Sequence, residues 1–99
     1  MANQDMVKIE ILLDREHVDD LVELFDRHGV AAFTVLDVRD GRGSKRGTSL
    51  ALGLSGQSGA YVFVVRERAS VDGLLPALVA FLRSARGFGF ITPVESVLV

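Results

Sequence analysis

The sequence predicts an α+β domain in which a four-stranded antiparallel sheet carries two helices on one face. Three observations lead there: four segments with strand-type patterning, two with apolar residues at helical spacing, and the order strand, helix, strand, strand, helix, strand. The chain has 99 residues, 48% hydrophobic and 24% charged, which fits one domain over residues 1–99 with one core. A domain of this length buries only roughly 60 to 70% of the surface its unfolded chain exposes, so a large interface between copies would help it.

The first strand is read at Val7-Lys8-Ile9-Glu10-Ile11-Leu12-Leu13, where apolar and charged residues alternate before the run becomes wholly apolar. Asp14 is placed to cap a following helix in which Val18, Leu21, Val22 and Phe25 recur on one face, ending at Gly29. Its charges suit the helix dipole, with Glu16, Asp19 and Asp20 early and Arg27 and His28 late. Val30 to Val38, rich in β-branched and aromatic residues, is the second strand. From about residue 40 to 59 the chain holds six of its ten glycines, several serines and a basic cluster, too long for a tight hairpin. Leu50-Ala51-Leu52 could extend part of it as β-ribbon.

Ala60-Tyr61-Val62-Phe63-Val64-Val65 is apolar on both faces and is read as a central strand. Ser70 or Asp72 is placed to cap a second helix reaching about Ser84, with Leu74, Leu75, Leu78, Val79 and Leu82 on its buried side. Pro76 is tolerated only in a first turn, so regular helix is expected to begin near Gly73 to Leu75, or to kink. Phe88 to Leu98 is the last strand, with Pro93 marking an edge or a bulge. This order is that of a ferredoxin-like βαββαβ sandwich. If Tyr61 and Phe63 point away from the helices, the second sheet face needs a partner as well.

With no cysteine, disulfides, thiolate metal sites and cysteine nucleophiles are excluded. No apolar stretch approaches the ~18 residues of a membrane span, and Met1 to Asp5 lacks the pattern of a secretory signal, so a cytoplasmic protein without membrane insertion is expected. The net charge of −2 hides a gradient: residues 1–28 carry −5, residues 29–59 carry +2 and residues 60–99 carry +1. Duplex nucleic acid demands a broader basic face, whereas a compact anion such as a phosphate suits one short basic segment.

That segment, Gly41-Arg42-Gly43-Ser44-Lys45-Arg46-Gly47, combines glycines that permit close backbone approach, a hydroxyl and three cations. It matches neither the Walker pattern nor G-x-G-x-x-G, and a solvated basic loop explains its composition equally. Arg86-Gly87, between the second helix and the last strand, is a second candidate anion contact, with a glycine helix stop as the plainer reading. His17 and His28 fall roughly 16 Å apart along a helix and cannot share a metal within one chain. No serine has an identifiable base, so an enzyme is not expected.

Taken together, Gly29-Val30-Ala31-Ala32-Phe33-Thr34-Val35, Gly41-Arg42-Gly43-Ser44 and Ile91-Thr92-Pro93-Val94-Glu95 resemble PII-type signalling proteins. The glycine, aromatic-Thr-Val and Gly-x-Gly-Ser pattern is similar to the diverged PII-like regulators associated with carboxysomes and bicarbonate uptake. The resemblance implies a homotrimer with adenine nucleotide held in clefts between subunits. It implies that Thr34 and Gly41, Arg42, Gly43 and Ser44 lie at the base of a mobile T-loop and that Arg86 and Gly87 fall in a phosphate-approaching B-loop. Leu12 and Val64 become candidates to flank an adenine. There are departures: Ala85-Arg86-Gly87-Phe88 carries fewer glycines than the usual B-loop and no lysine, and residues 1–99 contain no counterpart of the usual C-terminal arginine pair. Lys45 stands where a glutamine serves magnesium and 2-oxoglutarate, and Tyr61 comes too late to be the modified T-loop tyrosine. Ordinary nitrogen sensing and uridylylation are therefore not expected.

The sequence thus suggests a non-enzymatic regulatory trimer. Its binding residues would be Thr34, Gly41, Arg42, Gly43, Ser44, Lys45, Arg46, Arg86 and Gly87. ADP, AMP, ATP or cyclic AMP would be the regulatory ligand, bicarbonate a candidate second ligand, and loop 40–59 the contact to a protein target such as a membrane transporter. The alternative is a ferredoxin-like oligomeric interaction or effector-binding module without nucleotide binding. A metal-tolerance protein of the CutA type lacks its ligands here, and nucleic acid is not an expected partner.

Overall fold

The computed structural model describes residues 5–38 and 59–97. Strand β1 runs Met6–Asp14, and a single 3-10 turn, Arg15–His17, leads into helix α1, Val18–Arg27. Strands β2, Thr34–Val38, and β3, Gly59–Glu67, follow. A short helix α2, Arg68–Asp72, precedes α3, Leu75–Ala85, and strand β4, Phe88–Val94, completes the order. The sheet order is β2-β3-β1-β4 with every neighbouring pair antiparallel. Each half is therefore a split βαβ unit, and the expected ferredoxin-like α+β sandwich is the fold.

Alternation along β1 decides which face packs. Val7, Ile9, Ile11 and Leu13 are buried, while Lys8, Glu10 and Leu12 between them are only half-buried. Ala60, Val62 and Val64 continue the buried face on β3, where they meet Leu21, Leu24 and Phe25 of α1 and Leu74 and Leu78 beside and within α3. Phe25 and Phe33 add a tilted ring contact with centroids 5.3 Å apart. The expected central place of β3 is observed, and Pro93 lies on an edge strand, where its missing N–H leaves no gap in an interior ladder.

Several boundaries differ from those read in the sequence. Asp14 does not cap α1: its backbone is still extended and paired with Gly59, the 3-10 turn intervenes, and its side chain makes no capping bond. Neither Ser70 nor Asp72 caps a helix. Both belong to α2, which begins after Glu67, and α3 starts after Leu74 with Pro76 in its first turn. Gly73 and Leu74 separate the two helices because the Pro76 ring lacks an N–H to continue the ladder backwards. Val79 faces solvent rather than the core. The second strand begins at Thr34, not Val30, since residues 31–33 make no ladder pairing. The last strand ends at Val94; Leu98, like most of the 40–59 loop including Leu50-Ala51-Leu52, lies outside the described residues.

Among the described residues no helix lies over the second face of the sheet. Thr34, Leu36 and Val38 of β2, Tyr61, Phe63 and Val65 of β3, and Phe88, Phe90, Thr92 and Val94 of β4 share it with Lys8, Glu10 and Leu12, as the strand registers require. Leu36 is 51% and Phe90 56% exposed. At its centre the Tyr61 hydroxyl donates to the Glu10 carboxylate at 2.6 Å, and Lys8 Nζ lies 3.8 Å from the same carboxylate and 4.8 Å above the Phe63 ring centroid. The bond to Glu10 favours the protonated phenol, and burial adds to it, so Tyr61 is held above its ordinary pKa of 10.0.

Candidate functional site at one end of the sheet

Register alone brings the chemistry-bearing segments to one end of the sheet. Val38 at the end of β2 pairs with Gly59 at the start of β3, Gly59 pairs with Asp14 at the end of β1, and Leu12 pairs with Phe88 at the start of β4. The stems of the 39–58 segment and the Arg86-Gly87 turn thus emerge at the same end. The turn lies at the β4 edge, three strand spacings or roughly 14 Å from the β2 stem at the opposite edge and two spacings or roughly 10 Å from the stem on the interior strand β3.

The Arg86-Gly87 turn is built with unusual economy. Arg86 ends α3 in the left-handed region, φ 60°, ψ 38°, and Gly87 N–H bonds to the Leu82 carbonyl at 3.0 Å. The residue that turns the chain is therefore the arginine, where glycine is the usual choice. Gly87 is needed for a different reason: a Cβ there would lie 2.9 Å from the Leu12 carbonyl oxygen, 3.0 Å from Leu82 Cδ2 and 3.2 Å from Leu13 Cβ. Its lack of a side chain lets the turn lie flat on the end of β1. Arg86 itself is exposed, and its side chain has no ion-pair partner among the described residues.

Other polar groups gather nearby. The Asp14 Oδ1 atom is buried and has no hydrogen-bond partner among the described residues. Arg15 pairs with Asp37, tying the 3-10 turn to the end of β2 beside the first stem. Sequence reasoning did not single out Asp14 or Asp37 as site residues; only the strand registers bring them beside the stems.

The expected site residues are distributed unevenly. Arg86 and Gly87 lie at this end of the sheet. Thr34 does not: it pairs with Phe63 at the far end of β2, four residues or roughly 13 Å from the stem. Gly41, Arg42, Gly43, Ser44, Lys45 and Arg46 lie outside the described residues. Val64 is buried in the helix-facing core, 2% exposed, whereas Leu12 is half-buried on the uncovered face beside Phe88. Among the described residues no group of three or more histidine, aspartate or glutamate side chains could hold a metal ion. No helix among them is long and apolar enough to cross a membrane.

The family model described as nitrogen regulatory protein P-II matches residues 6–99. The chain belongs to the P-II family. Among curated proteins nothing matches the sequence significantly. Solved structures resemble it throughout. One is CPII, a nitrogen regulatory PII-like protein from Thiomonas intermedia K12, bound to ADP, AMP and bicarbonate; it is 22% identical, has a TM-score of 0.70, and the match covers 92% of this chain and 93% of that one. CPII bound to ADP, AMP and acetate gives 21% identity and a TM-score of 0.74 over 97% of this chain and 92% of that one. Arabidopsis thaliana PII bound to citrate gives 16% identity and a TM-score of 0.66 over 94% and 80%. At these identities the likeness is one of fold, and it agrees with the diverged PII-like character read from the sequence.

Proposed function

We propose that this P-II family member is a non-enzymatic, cytoplasmic regulatory trimer that binds an adenine nucleotide between subunits. The observation that carries this reading is the convergence of the Arg86-Gly87 turn and both stems of the 39–58 segment on one sheet end. Gly87 lets the turn lie against the end of β1, and Arg86, exposed and without an ion pair among the described residues, offers a guanidinium fork, the donor type suited to phosphate oxygens. Arg42, Lys45 and Arg46 would supply further phosphate contacts, with Gly41, Gly43 and Ser44 as backbone and hydroxyl donors. Thr34 would act from the uncovered face near the subunit boundary.

ADP and AMP are the first ligands to test, because both are bound in CPII, and bicarbonate is the candidate second ligand for the same reason. Occupancy would shift the 39–58 segment between states, by no more than the nucleotide's differential affinity for them, and so alter its contact with a protein target such as a transporter. The test is calorimetric titration with ATP, ADP, AMP and cyclic AMP, with and without bicarbonate, on protein whose mass has been fixed by light scattering. Saturable binding that is weakened when Arg42, Lys45 and Arg46 are together replaced by alanine supports the reading. A folded trimer that binds none of the four overturns it in favour of an interaction module.

A further inference from the structure

The polar cluster in the middle of the uncovered sheet face carries an inference about assembly that rests on the trimer reading above. Lys8 and Glu10 lie two residues apart on one face of a central strand, so their Cα atoms are separated by roughly 7 Å. Their side chains are each 32% exposed, and apolar groups surround them: the Phe63 ring beneath Lys8, and Phe90, in register with Glu10, on β4. Covering this face strips both charges of their remaining water. Glu10 keeps the Tyr61 hydroxyl at 2.6 Å, whereas the three donors of Lys8 have, among the described residues, only the side chains of that same Tyr61–Glu10 pair, with the carboxylate oxygen 3.8 Å away. A buried ammonium so poorly satisfied is costly unless the covering surface brings acceptors, and a carboxylate with open lone pairs likewise wants a donor.

A second copy of the same face supplies both. We propose that Lys8 of each copy pairs with Glu10 of the next around the ring, so that this exchange of charges selects the partner and the register of the interface. The arrangement is head-to-tail: each copy presents its lysine to one neighbour and its carboxylate to the other, and the ring closes with every charge paired. Tyr61 holds the carboxylate in place, and the apolar groups around it supply most of the buried area. An unrelated protein with a plain apolar surface would leave the two charges with no partners beyond the long contact to each other and the Tyr61 hydroxyl, which is how the cluster discriminates against it.

Native mass spectrometry across a dilution series tests this. Lys8→Glu and Glu10→Lys, each made alone, place like charges at every junction and should raise the concentration at which the oligomer falls apart by at least about tenfold. Mixed and refolded together, the two single variants should recover trimers containing both chains in preference to either alone, with a dissociation concentration between those of the parent and the single variants, because in a ring of three two junctions regain opposite charges and one stays like-charged. The double variant carrying both changes should assemble like the parent. Single variants that assemble as the parent does, or a mixture that recovers nothing, would overturn the exchange, since a pair confined within one chain cannot be rescued by a second chain. A parent protein that does not assemble at three times 10.7 kDa would instead overturn the trimer reading itself. Should a reversal fail to fold by circular dichroism, Lys8→Met and Glu10→Gln introduce no repulsion within the monomer. Each should still weaken assembly about tenfold, and unchanged dissociation would count against the proposal.

Discussion

Replacing Arg86 with glycine should stabilise the fold while weakening nucleotide binding. Arg86 sits at φ 60°, ψ 38°, a conformation in which a Cβ costs about 1–2 kcal/mol and glycine costs nothing comparable. The greater freedom of glycine in the unfolded chain takes back roughly 0.4–1 kcal/mol. The side chain is exposed and forms no ion pair among the described residues, so little else is lost. The net gain is about 1 kcal/mol. With a urea slope of about 2 kcal/mol/M, the unfolding midpoint should rise by about 0.5 M with the slope unchanged. Protein concentration must be held fixed, because dissociation of an oligomer would move the midpoint by itself. On the binding side, loss of a charge-assisted hydrogen bond to phosphate costs about 1.5–3 kcal/mol, so calorimetry should find ADP bound roughly ten- to hundredfold more weakly. A midpoint that falls refutes the strain argument. A midpoint that rises with affinity unchanged refutes the role given to the guanidinium.

Three further outcomes follow from the same geometry. Gly87→Ala should cost about 1–3 kcal/mol in urea unfolding, because the new methyl group meets the Leu12 carbonyl oxygen at 2.9 Å and backbone must shift to admit it. Tyr61 is the single tyrosine, so phenolate absorbance follows it alone. Its titration should fall above the ordinary 10.0 in the folded protein and return towards it in Glu10→Gln. Since the folded pKa is the higher one, the associated stability is intact below pH 10 and is lost as pH rises through the folded value. Phe25→Ala should destabilise by about 3–5 kcal/mol by thermal or urea unfolding, as a fully buried ring packed against Phe33 is removed.

The topology was legible because each strand carries a clear period and each connection has a length that permits few alternatives. Val7 to Leu13 alternates, Ala60 to Val65 is apolar on both faces, and Pro93 marks an edge or a bulge, so the strands and the central place of β3 were legible, while the place of β1 between β3 and β4 comes from the observed pairing. What escaped the reading depends on contacts between segments distant in sequence. Asp14 resembles a helix cap by type, yet its pairing with Gly59 keeps it in the sheet and a turn intervenes. Ser70 and Asp72 resemble caps too, but the chain turns into helix directly after Glu67. In Arg86-Gly87 the composition signals a glycine stop. The left-handed residue is nonetheless the arginine, because the glycine is required one position later, where β1 leaves no space for a Cβ. Thr34, placed by likeness at a loop base, lies a full strand away once register is fixed.

The two faces of the sheet impose different demands, and together they connect ligand binding to assembly. The helix-facing side is satisfied within one chain: its valines, isoleucines and leucines are buried against α1 and α3. The other side leaves Leu36 and Phe90 more than half exposed around a lysine and a carboxylate that need partners. Under the trimer reading, further copies cover that side, and the β2-edge stem of one subunit would face the β4-edge turn of another. Under the proposed reading, a nucleotide bridging those edges is a ligand of the trimer and not of the monomer. By linkage it should lower the concentration at which the trimer dissociates, the more so the further its free concentration exceeds Kd. Dilution experiments with and without ADP therefore test the site and the assembly at once. Dissociation that is indifferent to saturating ADP would mean that any nucleotide bound lies within a single subunit.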